Sequence, residues 1–448
     1  MTAAVEKLTR LIEAKDRHDI PLADLLPAQM EAANERLTAQ RQTVKLLANR
    51  AENSTGSAAI GEPADLVPLL FAHTAYKSYP ESWLNQGSWD RMGSWLDTVT
   101  TNRVRDIDIS AVQDIDDWVD RLADKGHYIC CSSGTTGKVS IVPNALSDRQ
   151  FVRKNAINSY EWATGLVARN DYRIFACNPG TNNFRFLDSW MAFSESFGSG
   201  AAEFTFPGEP ITASKVREMV MLRKSIADGS ARPGDLAAFE AVTAQRGKDM
   251  ENAANTIVEV MLAARGDKLL IAGMPALLFQ VAEMIRDLGY DAKDFHPENT
   301  LMTSGGLKGA VLPPDYLERM QSVWNIDRKR VFAAYAMQEL NSFNPRCEAD
   351  RFHVPPWLIL LPLDASGENL LEPSDGEVEG RAAFLDLSMD GRWGGIISGD
   401  KIHVRYAKCE CGHEGPTIGI NISRYSDLPG GDKITCSGTI DAYVRGVA

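Results

Sequence analysis

Residues 128–142 read YICCSSGTTGKVSIV, an apolar run, a turn of Ser, Gly and Thr closed by a lysine, and a second apolar run. Both runs are predicted to be buried strands, which leaves the turn as the place where polar chemistry gathers. Gly134 and Gly137 let the backbone approach a ligand closely, while Ser132, Ser133, Thr135 and Thr136 supply hydroxyls and N–H donors. Such a loop suits a polyphosphate. A Walker A loop would need glycine at position 132 and a hydroxyl at 139; Ser132 and Val139 stand there, so that motif is rejected. A polar turn that merely joins two strands is the bland alternative.

Three further stretches carry chemistry. SGGLKG begins at Ser304 and YAMQE at Tyr335, each closing a predicted strand, and IISGDKIH spans 396–403. Cys347 and His353 (CEADRFH) and Cys409 and Cys411 (CECGH) make two close pairs of soft ligands, the donor set of a closed tetrahedral Zn²⁺ site. His413 is an alternative to His353, and metal-free thiols are an alternative to zinc. A site of this kind is structural, with no open position for water. Cys130, Cys131, Cys177 and Cys436 read as small buried hydrophobes rather than nucleophiles.

SSGTTGK resembles the phosphate loop of the adenylate-forming superfamily, which includes acyl-CoA synthetases, luciferases and peptide-synthetase adenylation domains. The later motifs extend the resemblance. It implies that residues 132–138, with Lys138 as a catalytic cation, hold the ATP phosphates, and that Ser304, Gly305 and Gly306 line the adenine. Tyr335 would stack on adenine, with Ala336 and Gln338 beside the nucleotide. Glu339 would hold Mg²⁺ on the phosphates, and Asp400 would bind the ribose hydroxyls. Ala336 and Gln338 depart from the family's glycine and hydroxyl residue. Residues 430–434 and Gly438 look like the hinge motif, with Pro429 where arginine is usual and Arg424 as a substitute. Within the superfamily the chain is similar to phenylacetate-CoA ligase-like proteins and to acyl-protein synthetases.

The implied activity is ATP-dependent activation of a carboxylic acid as acyl-adenylate, with pyrophosphate release and transfer to coenzyme A. Two alternatives stand beside it. One is a catalytically reduced nucleotide-binding partner; the other is transfer to a protein thiol or amine. The family's mobile C-terminal domain is expected to be absent or cut off.

The elements that must position these residues follow from periodicity and composition. The chain has 448 residues, 44% hydrophobic, enough for two or three domains. An α/β fold is expected: a large adenylation domain of mixed and parallel sheets flanked by helices, with a smaller β-rich lobe. The expected division is a helical region at 1–115, a nucleotide-binding core at 116–345 with a helical insertion at 212–265, and a β-rich lobe at 346–448. Gly126 is predicted to cap the helix that precedes the phosphate loop. Trp83, Trp89 and Trp95 are expected to pack beneath a loop. Residues 178–206 read as cleft-lining loop, with Phe184, Phe186 and Trp190 as acyl-pocket candidates beside core packing; His73 is a further pocket candidate. The net charge of −13 and the absence of a Lys/Arg cluster argue against nucleic acid. No run is long enough to span a bilayer, so the protein is expected in the cytoplasm without a membrane partner. Seven cysteines argue against a disulfide framework. A homodimer is compatible with the sequence, which does not name the acid.

Overall fold

The computed structural model describes residues 3–54, 59–132, 138–201, 203–303, 310–432 and 434. The chain forms two compact units, one of Met1–Asn155, Asn183–Asp188 and Tyr335–Ala448, the other of Ala156–Asn182 and Ser189–Ala334. These units are assembled by contact from separated stretches, whereas the division at residues 115 and 345 follows chain order.

The second unit is built on a parallel sheet. Its strand order is Phe204–Thr205, Arg173–Ala176, Leu269–Gly273, Thr300–Thr303, Val331–Phe332. A parallel strand covered on both faces needs an unbroken apolar run, and LLIAG at 269–273 is buried at every position. Ile257, Met261, Leu278, Val281 and Trp324 pack into the same core. Each such side chain contributes about 1.5–3 kcal/mol by leaving water. Residues 212–265 carry the helices Ala213–Ala227 and Pro233–Ala263.

The first unit centres on an antiparallel sheet in which Glu377–Asp386 pairs with Leu358–Leu363 on one side and Gly395–Arg405 on the other. Phe71–Ala72 adds to Gly395–Arg405 in parallel, and Ser423–Arg424 adds to it antiparallel. In the same unit Asp114 accepts from Asp117 N at 2.9 Å and caps the helix Ile115–Ala123. Gly126, at φ +84°, follows that helix as expected. Tyr128–Ser132 and Ser140–Asn144 then pair as an antiparallel hairpin. Residues 133–137 between them lie outside the described residues.

Two local expectations are corrected. Phe184–Phe197 is a helix, not a loop, because Phe186, Trp190, Phe193 and Phe197 recur at helical spacing within a Ser/Asn/Gly-rich composition that hides it. Trp83 and Trp95 likewise sit on the short helices Glu81–Asn85 and Trp89–Leu96. Trp89 stacks on Trp118 at 5.9 Å and Trp95 meets Tyr79 edge-on at 5.0 Å, so they are core aromatics. Among the described residues no helix is long and apolar enough to cross a membrane.

Candidate functional site

Tyr335 closes the short strand Ala334–Tyr335, and Asp400 sits within Gly395–Arg405. The Tyr335 hydroxyl donates to Asp400 Oδ2 at 2.8 Å, and Asp400 N donates to Ser398 Oγ at 3.0 Å. The tyrosine is buried, with Phe352 and Phe384 tilted against it at 6.2 and 6.1 Å. Burial and the Asp400 charge push its phenol well above the ordinary range, so it stays a donor. Burial raises the Asp400 carboxyl, while the Tyr335 hydrogen bond, Arg424 and Arg381 oppose that rise. Arg424 faces Asp400 across the strand pair, its Nε 3.9 Å from Oδ1.

Glu339 lies on the turn after Tyr335, half-buried and within electrostatic reach of Tyr76, Arg185 and Tyr335. Ala336 is exposed, whereas Gln338 is half-buried and its carbonyl accepts from Arg392 Nη2 at 3.4 Å. Lys138 bonds to the Tyr79 carbonyl and lies 4.3 Å over the Tyr79 ring. Ser133, Gly134, Thr135, Thr136, Gly137, Ser304, Gly305 and Gly306 lie outside the described residues; Ser132 ends a hairpin strand.

Of the pocket candidates, His73 donates its backbone N–H to Ile397 O at 2.9 Å, its Nε2 is 3.9 Å from Asp432 Oδ2, and burial lowers its pKa against the pull of that carboxylate. Phe184 instead meets Tyr128 edge-on at 5.3 Å, with the Arg149 guanidinium 4.3 and 4.6 Å from the two rings. Arg149 is held by both Asp188 oxygens at 2.7 and 2.8 Å. Trp190, half-buried, belongs to the second unit.

Sequence reasoning missed Arg381. It is fully buried, donates to Asp432 Oδ1 at 2.7 Å and to Ala365 O at 2.8 Å, and lies 4.0 Å from the Tyr425 ring. An arginine inside the strand EVEGRAAFLD was the available signal, since a guanidinium there needs a buried partner. Asp432→Asn is expected to cost about 1–2 kcal/mol in urea unfolding, discounted because the carboxylate keeps some solvent. An unchanged midpoint would mean that this ion pair does not hold the 425–432 segment.

The candidate metal-ligand residues converge. One ligand atom each from Cys347, His353, Cys409 and Cys411 lies within 4.8 Å of all the others, with Cys347 and Cys409 Sγ 3.8 Å apart and Cys411 Sγ 3.3 Å from His353 Nε2. Arg351–His353 pairs with Thr417–Gly419, which brings the two loops together. Each loop is a tight turn: Asp350 N donates to Cys347 O at 3.1 Å and Gly412 N to Cys409 O at 2.9 Å. His413 turns outward to Asp19. Burial lowers the His353 imidazole to about 3, which leaves it neutral and able to ligate, and it raises the Cys347 and Cys411 thiols. Three sulfurs and an imidazole in one buried cluster fit Zn²⁺, which favours the thiolate form that burial alone opposes.

No protein-family model and no curated protein sequence matches the chain. Solved structures do. An open conformation of 2-hydroxyisobutyryl-CoA ligase in complex with 2-HIB-AMP and CoA is 13% identical, with a TM-score of 0.56 over 92% of this chain and 72% of that one. The same ligase in the postadenylation state with R3-HIB-AMP gives 0.55 at 13% identity, over 93% and 72%. In the thioesterification state it gives 0.55 at 13% identity, over 92% and 70%. The fold is therefore that of the adenylate-forming enzymes, as the resemblance implied.

Proposed function

We propose that this chain, with the fold of an AMP-forming ligase, activates a carboxylic acid with ATP and passes the acyl group to coenzyme A. The observation that carries the reading is the Tyr335–Asp400 hydrogen bond, with Arg424 beside the same carboxylate. It joins the two stretches that resemble the family's adenine and ribose motifs. The neighbour crystallised with an acyl-adenylate and CoA supports the two-step reaction.

In this reading Asp400 accepts the ribose hydroxyls, and Tyr335 orients Asp400 and lies beside the adenine. The resemblance gives the base to the stretch that begins at Ser304 and the outer phosphates to residues 132–138, for which Lys138 would leave the Tyr79 carbonyl. Glu339 would hold Mg²⁺ together with phosphate oxygens, a coordination that needs only one or two carboxylates; the ion would neutralise charge there. A substrate carboxylate oxygen then forms a bond to the α-phosphorus as the bond to the pyrophosphate oxygen breaks. Positioning and charge neutralisation suffice, without a nucleophilic side chain. In the second step the coenzyme A sulfur displaces AMP from the acyl carbon. Cys347, His353, Cys409 and Cys411 would hold a structural Zn²⁺ apart from this chemistry.

The test is a screen for acid-dependent exchange of labelled pyrophosphate into ATP across aromatic, fatty and hydroxy acids. ATP binding with no exchange for any acid would favour the catalytically reduced alternative. Asp400→Asn gives an independent check. Because burial raises this carboxyl in the folded state, its stabilising contribution is full below the ordinary Asp range and falls as pH rises through the raised value. The amide removes that fall, so unliganded Asp400→Asn should melt at or above the parent temperature at pH 8, with less gain below about pH 4. AMP affinity should drop about tenfold as charge-assisted bonds to ribose are lost. Parallel loss of stability and affinity would point to a purely structural carboxylate.

A further inference from the structure

The turn that carries Glu339 is gripped from both sides by buried Asp386 and Arg392 and half-buried Arg185, which the proposed nucleotide chemistry does not use. The carbonyls flanking it are taken by two arginines: Arg392 donates to Gln338 O at 3.4 Å, and Arg185 donates to Leu340 O and, at 3.4 Å, to Ser342 O. The amides that follow are taken by one carboxylate. Asp386 Oδ2 accepts from Asn341 N at 2.9 Å, Ser342 N at 3.0 Å and Ser342 Oγ at 2.9 Å. Glu339 thus sits on a short irregular turn in which the backbone on either side has a fixed partner.

The anchors are themselves fixed. Arg392, fully buried, also donates to Pro143 O and to Asn144 Oδ1 at 2.7 Å. Asp386 Oδ1 accepts from Ser388 N at 3.1 Å and Ser388 Oγ at 2.5 Å. Asp148 ties the same loop to the turn: its oxygens accept from Asp390 N at 2.7 Å, Gly391 N at 2.8 Å and Asn341 Nδ2 at 2.9 Å. Gly391 is required there, because a Cβ would lie 2.4 Å from Ala145 N and 2.7 Å from Asp148 Oδ2. A turn without a ladder would otherwise have only water on these groups. Such a network is costly to bury half-satisfied; here the backbone groups of the turn are paired, while among the described residues Arg392 Nε and Gln338 Oε1 are buried without a hydrogen-bond partner.

We propose that Arg185, Arg392 and Asp386 are positioning residues that fix the Glu339 carboxylate where the metal-bound phosphates must meet it. The proposal rests on the reading of Glu339 as the metal carboxylate. Its physical basis is that a displacement of about 1 Å in a positioning group costs about 10²-fold in rate. Arg392 also donates to both Pro143 O and Asn144 Oδ1, at the end of the hairpin strand that follows residues 132–138, so one side chain holds both the Glu339 turn and that hairpin.

Arg185→Lys and Arg392→Lys keep the charge and lose the fork, so they test position rather than electrostatics. For folded variants the half-saturating Mg²⁺ in pyrophosphate exchange is expected to rise about tenfold, with AMP affinity measured without metal held within about twofold. Folded variants with unchanged Mg²⁺ dependence, or with AMP affinity weakened in step, would overturn the proposal. Amide hydrogen exchange on the unaltered protein decides the case if the variants do not fold. Asn341 and Ser342 N–H are expected to be as protected as the strand Glu377–Asp386, and exchange within seconds would overturn the anchoring. If the unaltered protein binds ATP but shows no Mg²⁺-dependent exchange, the reading of Glu339 fails, while amide protection still decides whether the turn is held as proposed.

Discussion

Glu339→Gln is expected to slow pyrophosphate exchange about 10²–10³-fold at saturating ATP, the scale of losing one preorganised electrostatic contact to a transition state. The substitution is isosteric, so the local packing is retained while the charge felt by Tyr76, Tyr335 and Arg185 is removed. What it removes is the anionic oxygen that a hard cation requires; an amide oxygen is a weaker ligand, and phosphoryl transfer depends on charge neutralisation. AMP binding without metal should be unaffected, because the ribose contact belongs to Asp400. Measuring both in one preparation separates a lost metal ligand from a damaged fold. Undiminished exchange would remove Glu339 from the chemistry.

Cys409→Ser is expected to reduce bound zinc from about one per chain to under about a tenth, by elemental analysis of freshly purified protein. Cys409 is buried, with its sulfur 3.8 Å from that of Cys347. A serine hydroxyl is neither soft nor ionised at neutral pH, so three ligands would remain for a cation that needs four. Metal affinity in such a site is folding free energy. A loss of about 4 kcal/mol would lower the melting temperature by about 10 °C in a unit of this size. A chelator should reproduce the shift in the unaltered protein. Unaltered protein that carries no zinc and melts independently of chelator would leave four reduced ligands packed without a metal.

The convergence of the Cys/His cluster was legible because its signal is local. Two pairs of soft ligands in short loops, or a polar turn after an apolar run, can be read without knowing what lies across the fold. The choice between His353 and His413 was not local. It depended on the pairing of Arg351–His353 with Thr417–Gly419, which points His353 inward, and on Asp19, far away in sequence, which holds His413 outside. The parallel sheet of the second unit was readable from runs such as LLIAG, whose continuity marks strands covered on both faces. Residues 184–197 were misread because asparagines and glycines before the helix, and serines within it, look like loop while the apolar spacing is helical.

The buried arginines were the least legible part. Arg381 finds Asp432 51 residues later, and Arg392 finds Asn144 248 residues earlier. A single sequence offers only the anomaly of a charge in an apolar stretch, not its partner. These residues hold the turn and the segment that bear the candidate site, so the candidate motifs stood out in the sequence while their supports did not.

The most direct measurement is a crystal structure of the protein soaked with AMP. Both ribose hydroxyls are expected on the Asp400 carboxylate, with the adenine beside Tyr335. AMP bound elsewhere, or a ribose turned away from Asp400 with that carboxylate still accepting only the Tyr335 hydroxyl, would contradict it.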